Sequence, residues 1–310
     1  MTTVLFDAGR ARWPDWEHPL RDALSEAGVT ADLVQSAPAA DVDAIIFAPK
    51  GGTITDFTPY TQCKLVQNLW AGVEQITGNQ TLTQPLCRMV DPGLTQGMVE
   101  YVCGHVLRAH LQTSSADAAA QGRWLPDVPP LASERPVAML GLGALGTACG
   151  TALAHLGFPV LGWSRTAKQH PAITCHHGAD GLRRVLEQAQ IVVTLLPDTP
   201  ATTDLINAQT LSWMPRGAAL INPGRGTLID DDALLAALDD GHISHATLDV
   251  FRTEPLPTDH PYWAHPRVTV TPHIAAETRP RTAARIVAEN LRRMQAGEPL
   301  LHQVNRSVGY

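Results

Sequence analysis

The sequence is short of several things, and each absence narrows what the chain can be. Lysine and arginine number 23 against 30 aspartates and glutamates, for a net charge of −7. A chain with no basic surplus has no bulk attraction to nucleic acid, so no such partner is expected and any bound anion must be held locally. Cysteine is scarce: Cys63, Cys87, Cys103, Cys149 and Cys175 are odd in number, widely spaced and never arranged as C-x-x-C. That pattern argues against a disulfide framework and reads as packing thiols in a reducing compartment. No window reaches ~18 uninterrupted apolar residues, and the opening "MTTVLFDAGRARWPDW" places Asp7 where a secretory leader needs an apolar run. A cytoplasmic chain with no membrane partner is expected. Internal repeats and low-complexity tracts are missing as well.

What is present suits two domains, since 310 residues exceed one ordinary core of ~100–200 residues. Over residues 1–96 short apolar runs ("TVLFDAG", "ADLVQS", "DAIIFAP", "CKLVQNLWAG") alternate with helical or turn segments such as "HPLRDALSEAG". Strands alternating with helices predict a parallel sheet covered on both faces. A long helical pattern, "GMVEYVCGHVLRAHLQTSSADAAAQGRW", opens a second region and leaves through the proline-rich loop "LPDVPPLASERP". The βαβ unit "VAMLGLGALGTACGTALAHLGFPVLGWSR" follows. Beyond it come the strands "IVVTLLP", "GAALINPG", "ATLDVF" and "RVTVTPHI" and the helices "GLRRVLEQAQ" and "DDALLAALDDG". A last helix, "AAETRPRTAARIVAENLRRMQAG", returns to the first domain. The expectation is an α/β protein of two Rossmann-like domains with parallel sheets and a cleft between them, one domain from residues 1–96 with 276–310 and the other from 97–275.

Gly141, Gly143 and Gly146 form G-x-G-x-x-G between a strand and a helix. The first glycine permits a tight turn, the second lets backbone approach a pyrophosphate, and the third allows close packing of helix on strand. Ala144 and Leu145 open the helix whose N-terminus attracts the anion. A dinucleotide site of this kind normally presents an acid to the ribose at the end of the next strand. Here that strand ends in Trp163, Ser164, Arg165 and Thr166, with Lys168 close behind. Hydroxyls and a guanidinium suit a 2′-phosphate and an acid would repel it, so NADP is expected in preference to NAD, which remains an alternative cofactor.

Arg225 in "LINPGRGTLID", Glu254 in "DVFRTEPLP" and His273 in "VTVTPHIAAE" each follow a strand whose carboxyl end should face the cofactor crevice. Reduction of a 2-oxo acid needs a cation to hold the carboxylate and polarise the carbonyl, and an acid for the new alkoxide. The arginine fork fits the first task. A histidine fits the second, because imidazole ordinarily titrates near neutrality, and Glu254 on its other ring nitrogen would favour the charged form. In the oxidative direction neutral imidazole would act as base, so the two directions should have different pH optima.

The ordered run "GLGALG", "LLP", "INPGRGTLID", "LDVFRTEPLP" and "VTVTPHIAA" resembles the D-isomer-specific 2-hydroxyacid dehydrogenase family over most of residues 97–290. With "DPGLTQGMVEYV" and "NLWAGVEQI" it is most similar to the glyoxylate/hydroxypyruvate reductase A group of that family. The resemblance implies a flavodoxin-like substrate domain beside the NAD(P)-binding domain. It implies that Arg225, Glu254 and His273 take the roles just given, with small 2-oxo acids (glyoxylate, hydroxypyruvate) reduced to D-2-hydroxy acids. It further implies that the amides of Ala71, Gly72 and Val73 bind the substrate carboxylate. Asp249 would contact the nicotinamide amide, and Leu195, Leu196, Pro197, Asn222, Pro223, Gly224 and Ala275 would line the cofactor. A homodimer built by the long helix from Gly97 and the "QGRW" loop is implied too.

Two departures stand out. Pro223 and Gly224 replace the alanine-bearing "NxARG" of the family and would alter the contact to the nicotinamide ribose. Lys50, in "APKGG", lies in a loop that in relatives brings an aromatic residue toward the substrate, and would tolerate a second negative group if it faced the cleft. No metal is expected, because His105, His110 and the loop pair His176–His177 lack partners at zinc spacing. The seven tryptophans are scattered rather than striped, and most read as core or interface. The alternative functions are a dimeric NAD(P)H-sensing scaffold without turnover, and a dehydrogenase of a larger acid such as 3-phosphoglycerate.

Overall fold

The computed structural model describes residues 1–111, 122–124 and 126–306, and they divide into two compact units, 1–94 with 277–306 and 95–276. In the first unit β1 (Thr2–Asp7), β2 (Ala31–Val34), β3 (Ala44–Phe47), β4 (Leu65–Asn68) and β5 (Leu86–Cys87) form one parallel sheet in the order β2-β1-β3-β4-β5. That is the flavodoxin-like order. Alternation along β1 feeds the two faces. Val4 and Phe6 pack under α1 (Trp13–Glu26), whose Trp16, Leu20, Ala23 and Leu24 recur at helical spacing, while Leu5 faces Phe57, Val73 and Ile76. The short helix α2 (Glu74–Thr77) follows β4.

The long helix α3 runs Pro92–Leu111, starting five residues before the expected Gly97. The cause is local: Asp91 Oδ1 accepts from the amides of Gly93 and Leu94, at 2.8 and 3.3 Å, and proline stands at the first helical position. The expected continuation through 112–121 lies outside the described residues, as does Gln121 of the dimer loop.

The second unit carries β6 (Val137–Leu140), α4 (Ala144–His155), β7 (Val160–Ser164), β8 (Thr174–His177), α5 (Gly178–Gln188), β9 (Ile191–Thr194), α6 (Ala208–Trp213), β10 (Ala218–Asn222), α7 (Asp231–Asp239), β11 (Ile243–Leu248) and β12 (Val268–Val270). Its seven-stranded sheet is parallel throughout, in the order β12-β11-β10-β9-β6-β7-β8. Val137 and Met139 face α3 and α4, and Ala138 and Leu140 face α5 and α7, so β6 is buried on both sides. The chain closes with α8 (Pro280–Ala296), packed on α1 in the first unit and ended by Gly297 at φ 67°.

One reading needs correction. His176 and His177 are not in a loop; they form β8, an edge strand bonded only to β7. With one neighbour and little burial, "TCHH" shows no apolar pattern. Trp263 is half exposed, and its Nε1 donates to the Pro257 carbonyl at 2.8 Å. The cysteines are all free, and burial pushes the thiol of Cys63 up to about 11 and those of Cys87 and Cys149 up to about 12. Among the described residues no helix is long and apolar enough to cross a membrane.

Candidate active site

Strand register brings the second unit's chemistry to one edge. Leu140 pairs with Trp163 and with Thr194, Val193 with Ile221, Asn222 with Leu248, and Leu248 with Val270. Six strands therefore end in line, and the residues that follow them (Gly141, Leu195, Pro223, Asp249, Thr271) or end them (Ser164) share the carboxyl edge where open α/β sheets hold ligands.

The glycine turn has the geometry of a pyrophosphate cradle. Gly141 lies at φ 111°, and a Cβ there would meet the Leu195 carbonyl at 2.3 Å. A Cβ on Gly146 would meet the Gly141 carbonyl at 1.9 Å, so the helix seats on its own turn only without one. At Gly143 a Cβ would meet open space, and Gly143 and Ala144 are exposed. The first amides of α4, among them those of Ala144, Leu145 and Gly146, have no acceptor within the helix, and a helix N-terminus favours an anion. The residues fit a dinucleotide.

The end of β7 is tied to this turn. Gly141 N donates to the Trp163 carbonyl at 2.9 Å, and Lys168 Nζ donates to the Leu142 carbonyl. Arg165 and Thr166 are exposed beside it. Trp163 and Ser164 are both hydrogen-bonded within the protein. The indole is buried in the core and bonds the Gly178 carbonyl at 2.8 Å, while the Ser164 hydroxyl bonds the Thr166 carbonyl at 2.8 Å. Both shape the loop that presents Arg165.

Leu195, Leu196 and Pro197 are half buried, and the first two lie against the glycine turn. Asn222 is fully enclosed and organises the next turn: its Oδ1 accepts from Thr194 Oγ1 at 2.6 Å and Gly224 N at 3.1 Å, and its Nδ2 donates to the Arg225 carbonyl at 2.9 Å. Pro223 and Gly224 are buried as well, and a Cβ on Gly224 would meet the Thr194 carbonyl at 2.7 Å. Glycine is therefore what this turn admits without a backbone shift. Gly226 lies against the backbone of Phe251, where a Cβ would come within 2.0 Å. The half-buried Arg225 thus stands beside the segment that carries Glu254.

Glu254 Oε2 lies 2.8 Å from His273 Nδ1, and its Oε1 accepts from Phe251 N at 3.1 Å. The carboxylate can only accept, so Nδ1 carries the proton and Nε2 is left to exchange one with a ligand. The imidazole is 54% exposed and the carboxylate 26%. His273 sits at φ 54°, a left-handed conformation that costs a non-glycine residue roughly 1–2 kcal/mol and persists only where surroundings impose it.

Those surroundings centre on Asp249, which is 0% exposed. Its carbonyl accepts from His273 N at 2.8 Å; Oδ1 accepts from Thr271 Oγ1 at 2.6 Å and Ile274 N at 2.9 Å, and Oδ2 from Ala275 N at 2.9 Å. Enclosed with three donors on its carboxylate, Asp249 holds the histidine loop, and Ala275 is buried with its amide bonded to Oδ2. The chain of bonds continues to Tyr101 OH, 2.7 Å from Thr271 Oγ1. Thr271 gives its one proton to Asp249, so Tyr101 is the donor, and burial keeps that phenol protonated by raising it well above its ordinary range. Sequence reasoning missed Tyr101 and Thr271. Their separation of 170 residues leaves no local pattern, and only the placement of a polar Thr271 at the end of β12 hinted at a role.

In the first unit Asn68 donates both protons of its amide to the carbonyls of Trp70 and Gly72, at 2.9 and 2.8 Å. Those carbonyls are turned inward, and the amides of Ala71, Gly72 and Val73 have no acceptor among the described residues. Successive unpaired amides make an anion-binding concavity.

The model for the NAD binding domain of D-isomer specific 2-hydroxyacid dehydrogenases matches residues 104–275. Among solved structures, a D-isomer specific 2-hydroxyacid dehydrogenase from Xanthobacter autotrophicus Py2, in complex with NADPH and MES, is 39% identical over 100% of this chain and 99% of its own, with a TM-score of 0.92. An NADPH-dependent glyoxylate/hydroxypyruvate reductase from Sinorhizobium meliloti, with NADP and sulfate, is 30% identical over the whole of both chains (100% and 100%) at a TM-score of 0.84. A probable 2-hydroxyacid dehydrogenase from Rhizobium etli CFN 42, with NADP, HEPES and L(+)-tartaric acid, is 29% identical over 100% of each chain at 0.88.

Proposed function

Because the chain belongs to the D-isomer-specific 2-hydroxyacid dehydrogenase family, we propose that it reduces small 2-oxo acids, such as glyoxylate and hydroxypyruvate, to D-2-hydroxy acids with NADPH. The observation that carries this reading is the 2.8 Å bond between His273 and Glu254, held in a strained loop on the edge that also carries the glycine turn and Arg225. Bound NADPH supplies the hydride for such a reduction. The amides at the start of α4 receive its pyrophosphate, and Arg165 with Thr166 receives its 2′-phosphate. The missing acid after β7 supports NADP over NAD, as do the NADPH and NADP complexes of the three relatives.

Arg225 holds the substrate carboxylate and polarises its carbonyl. The unpaired amides of Ala71, Gly72 and Val73 in the first unit are suited to receive a carboxylate. His273 Nε2 gives its proton to the oxygen on which negative charge develops, while Glu254 fixes the tautomer and stabilises the cationic ring. Asp249, Thr271 and Tyr101 hold the histidine loop without touching substrate. The protein acts in the cytoplasm as a homodimer in this reading.

The test is the initial rate of cofactor oxidation with glyoxylate and with hydroxypyruvate, NADPH against NADH under identical conditions. Turnover of either acid with a strong NADPH preference is expected. Tight cofactor binding without turnover of these or larger 2-oxo acids would overturn the proposal in favour of a dinucleotide-sensing scaffold.

A further inference from the structure

The first unit has a carboxyl edge of its own, set by the same logic of register. Asp7 pairs with Phe47 and Phe47 with Asn68, so the segments after β1, β3 and β4 emerge side by side. The third is the amide turn of Ala71–Val73. The other two meet at Arg12 and Gly51.

Arg12 follows β1 in a single 3-10 turn, Arg10–Arg12. Its Nη1 donates to the Ala8 carbonyl at 3.0 Å, and its guanidinium carbon lies 5.2 Å from the centre of the Trp70 ring. A Cβ on Gly51 would come within 2.4 Å of Nη1, and one on Gly9, at φ 99°, within 3.4 Å. The two glycines therefore make the seat in which the guanidinium lies. The loop that supplies Gly51 is fixed from beneath by Asp7, whose carboxylate accepts from Thr53 N, Thr53 Oγ1 and Ile54 N at 2.7 to 2.9 Å.

A half-buried arginine normally has a carboxylate partner, because desolvating a guanidinium without one is costly. Arg12 has none among the described residues: the nearby carboxylate, Asp7, is committed to its own loop. One carbonyl occupies one of five N–H donors, and the aromatic face holds the cation in place without neutralising it. Lys50, adjacent to the Gly51 seat, is exposed at φ 62° and likewise has no acid partner among the described residues. Trp70, under the guanidinium, immediately precedes the unpaired amides of Ala71–Val73. Two anion receptors thus stand a short distance apart on one edge.

We infer that Arg12, assisted by Lys50, forms a second anion subsite, and that the preferred substrate is a short 2-oxo acid bearing a second anionic group, carboxylate or phosphate. The inference rests on the proposed reduction of 2-oxo acids and names its substrate class. Charge on the far end of the substrate meets a guanidinium already stripped of part of its water, where a charge-assisted pair is strongest. A monoanion such as glyoxylate leaves that subsite empty.

The experiment compares kcat/KM with NADPH for glyoxylate, 2-oxosuccinate and 3-phosphonooxypyruvate, in the natural protein and in Arg12→Gln, Arg12→Lys and Lys50→Gln. The expected result is at least a 10-fold preference for one dianion, carried by KM and weakened by added salt. The two dianions tell a carboxylate pocket from a phosphate pocket. Arg12→Gln should reduce the ratio of dianion to glyoxylate at least 10-fold, Arg12→Lys should restore part of it, and Lys50→Gln should lower it less. Lys50 is exposed, so that variant reads the subsite even if Arg12→Gln folds poorly. In parallel, D-malate and glycolate are titrated into the protein with NADP+ present, a binding readout that needs no turnover. Turnover of glyoxylate with a dianion ratio that neither Arg12→Gln nor Lys50→Gln moves would overturn the subsite and leave the reductase reading intact. Arg12-dependent binding of malate without turnover of any 2-oxo acid would support the subsite and overturn the reductase reading.

Discussion

Asp249→Asn keeps the shape and volume of the side chain and changes only its donor pattern, so its effect reads the hydrogen bonds that hold the histidine loop. Oδ1 accepts from Thr271 Oγ1 and Ile274 N, and Oδ2 from Ala275 N. Whichever way the new carboxamide turns, its NH2 meets a backbone N–H that cannot reverse. At least one charge-assisted bond, worth ~1.5–3 kcal/mol, is lost, and the donors left facing each other cost ~1–3 kcal/mol more. Against this, a buried charge without an ion-pair partner disappears, which returns part of its desolvation cost. The net expectation is a loss of ~2–4 kcal/mol in urea unfolding, together with a fall in kcat, because the φ 54° conformation of His273 loses its restraint. Tyr101→Phe, at the far end of the same chain of bonds, should cost only ~0.5–1.5 kcal/mol. A different outcome would refute the reasoning: unchanged stability with a raised KM for NADPH would mean that Asp249 contacts the nicotinamide, as the family resemblance implies.

Arg165→Ala should raise the KM for NADPH far more than that for NADH, since it removes a phosphate contact worth ~1.5–3 kcal/mol; equal effects on both cofactors would rule out the phosphate role. His273→Asn, chosen because asparagine enters the left-handed region readily, should lower kcat ~10²–10⁴-fold with NADPH binding close to wild type in a fluorescence titration, and near-normal turnover would show that His273 is not the acid. Burial, with Arg108, His105 and His265 nearby, pushes His245 down to about 4. The unfolded chain takes up this proton near pH ~6.5 and the folded chain only near 4, so stability is full above that range and falls as pH drops through it. His245→Gln should therefore move the acid-unfolding midpoint to lower pH, and an unmoved midpoint would show that this imidazole is not linked to folding.

Much of this architecture is legible because parallel strands buried on both faces must be continuous apolar runs. "IVVT", "AALIN" and "VAML" cannot be confused with the amphipathic helices around them. The elements that escaped sequence reading lack that signature for physical reasons. β5 is two residues long, and β8 is a polar edge strand with one neighbour. The start of α3 depended on a capping carboxylate, Asp91, in a "DPG" that also reads as a turn.

The site divides along the same line. Gly141 and Gly146 could be picked out from the glycine spacing after a strand, and Arg225, Glu254 and His273 because each follows a strand by a few residues, and a strand end is visible in sequence. What could not be picked out is which of these side chains is spent on the protein itself. Trp163, Ser164 and Asp249 have the chemistry to touch a ligand and are also buried and hydrogen-bonded within the protein, Ser164 to a carbonyl two residues on and the other two to residues farther along the chain. Conversely Arg12, which no motif in the sequence marks, keeps its donors open because Gly51, supplied by a different strand's loop, admits it. A residue's chemistry is local, but whether its hydrogen bonds are already used is a property of the contact map. The two arginines make the point together: Arg225 was found from its place after a strand, while Arg12 emerges only when the acids around it are counted and found committed.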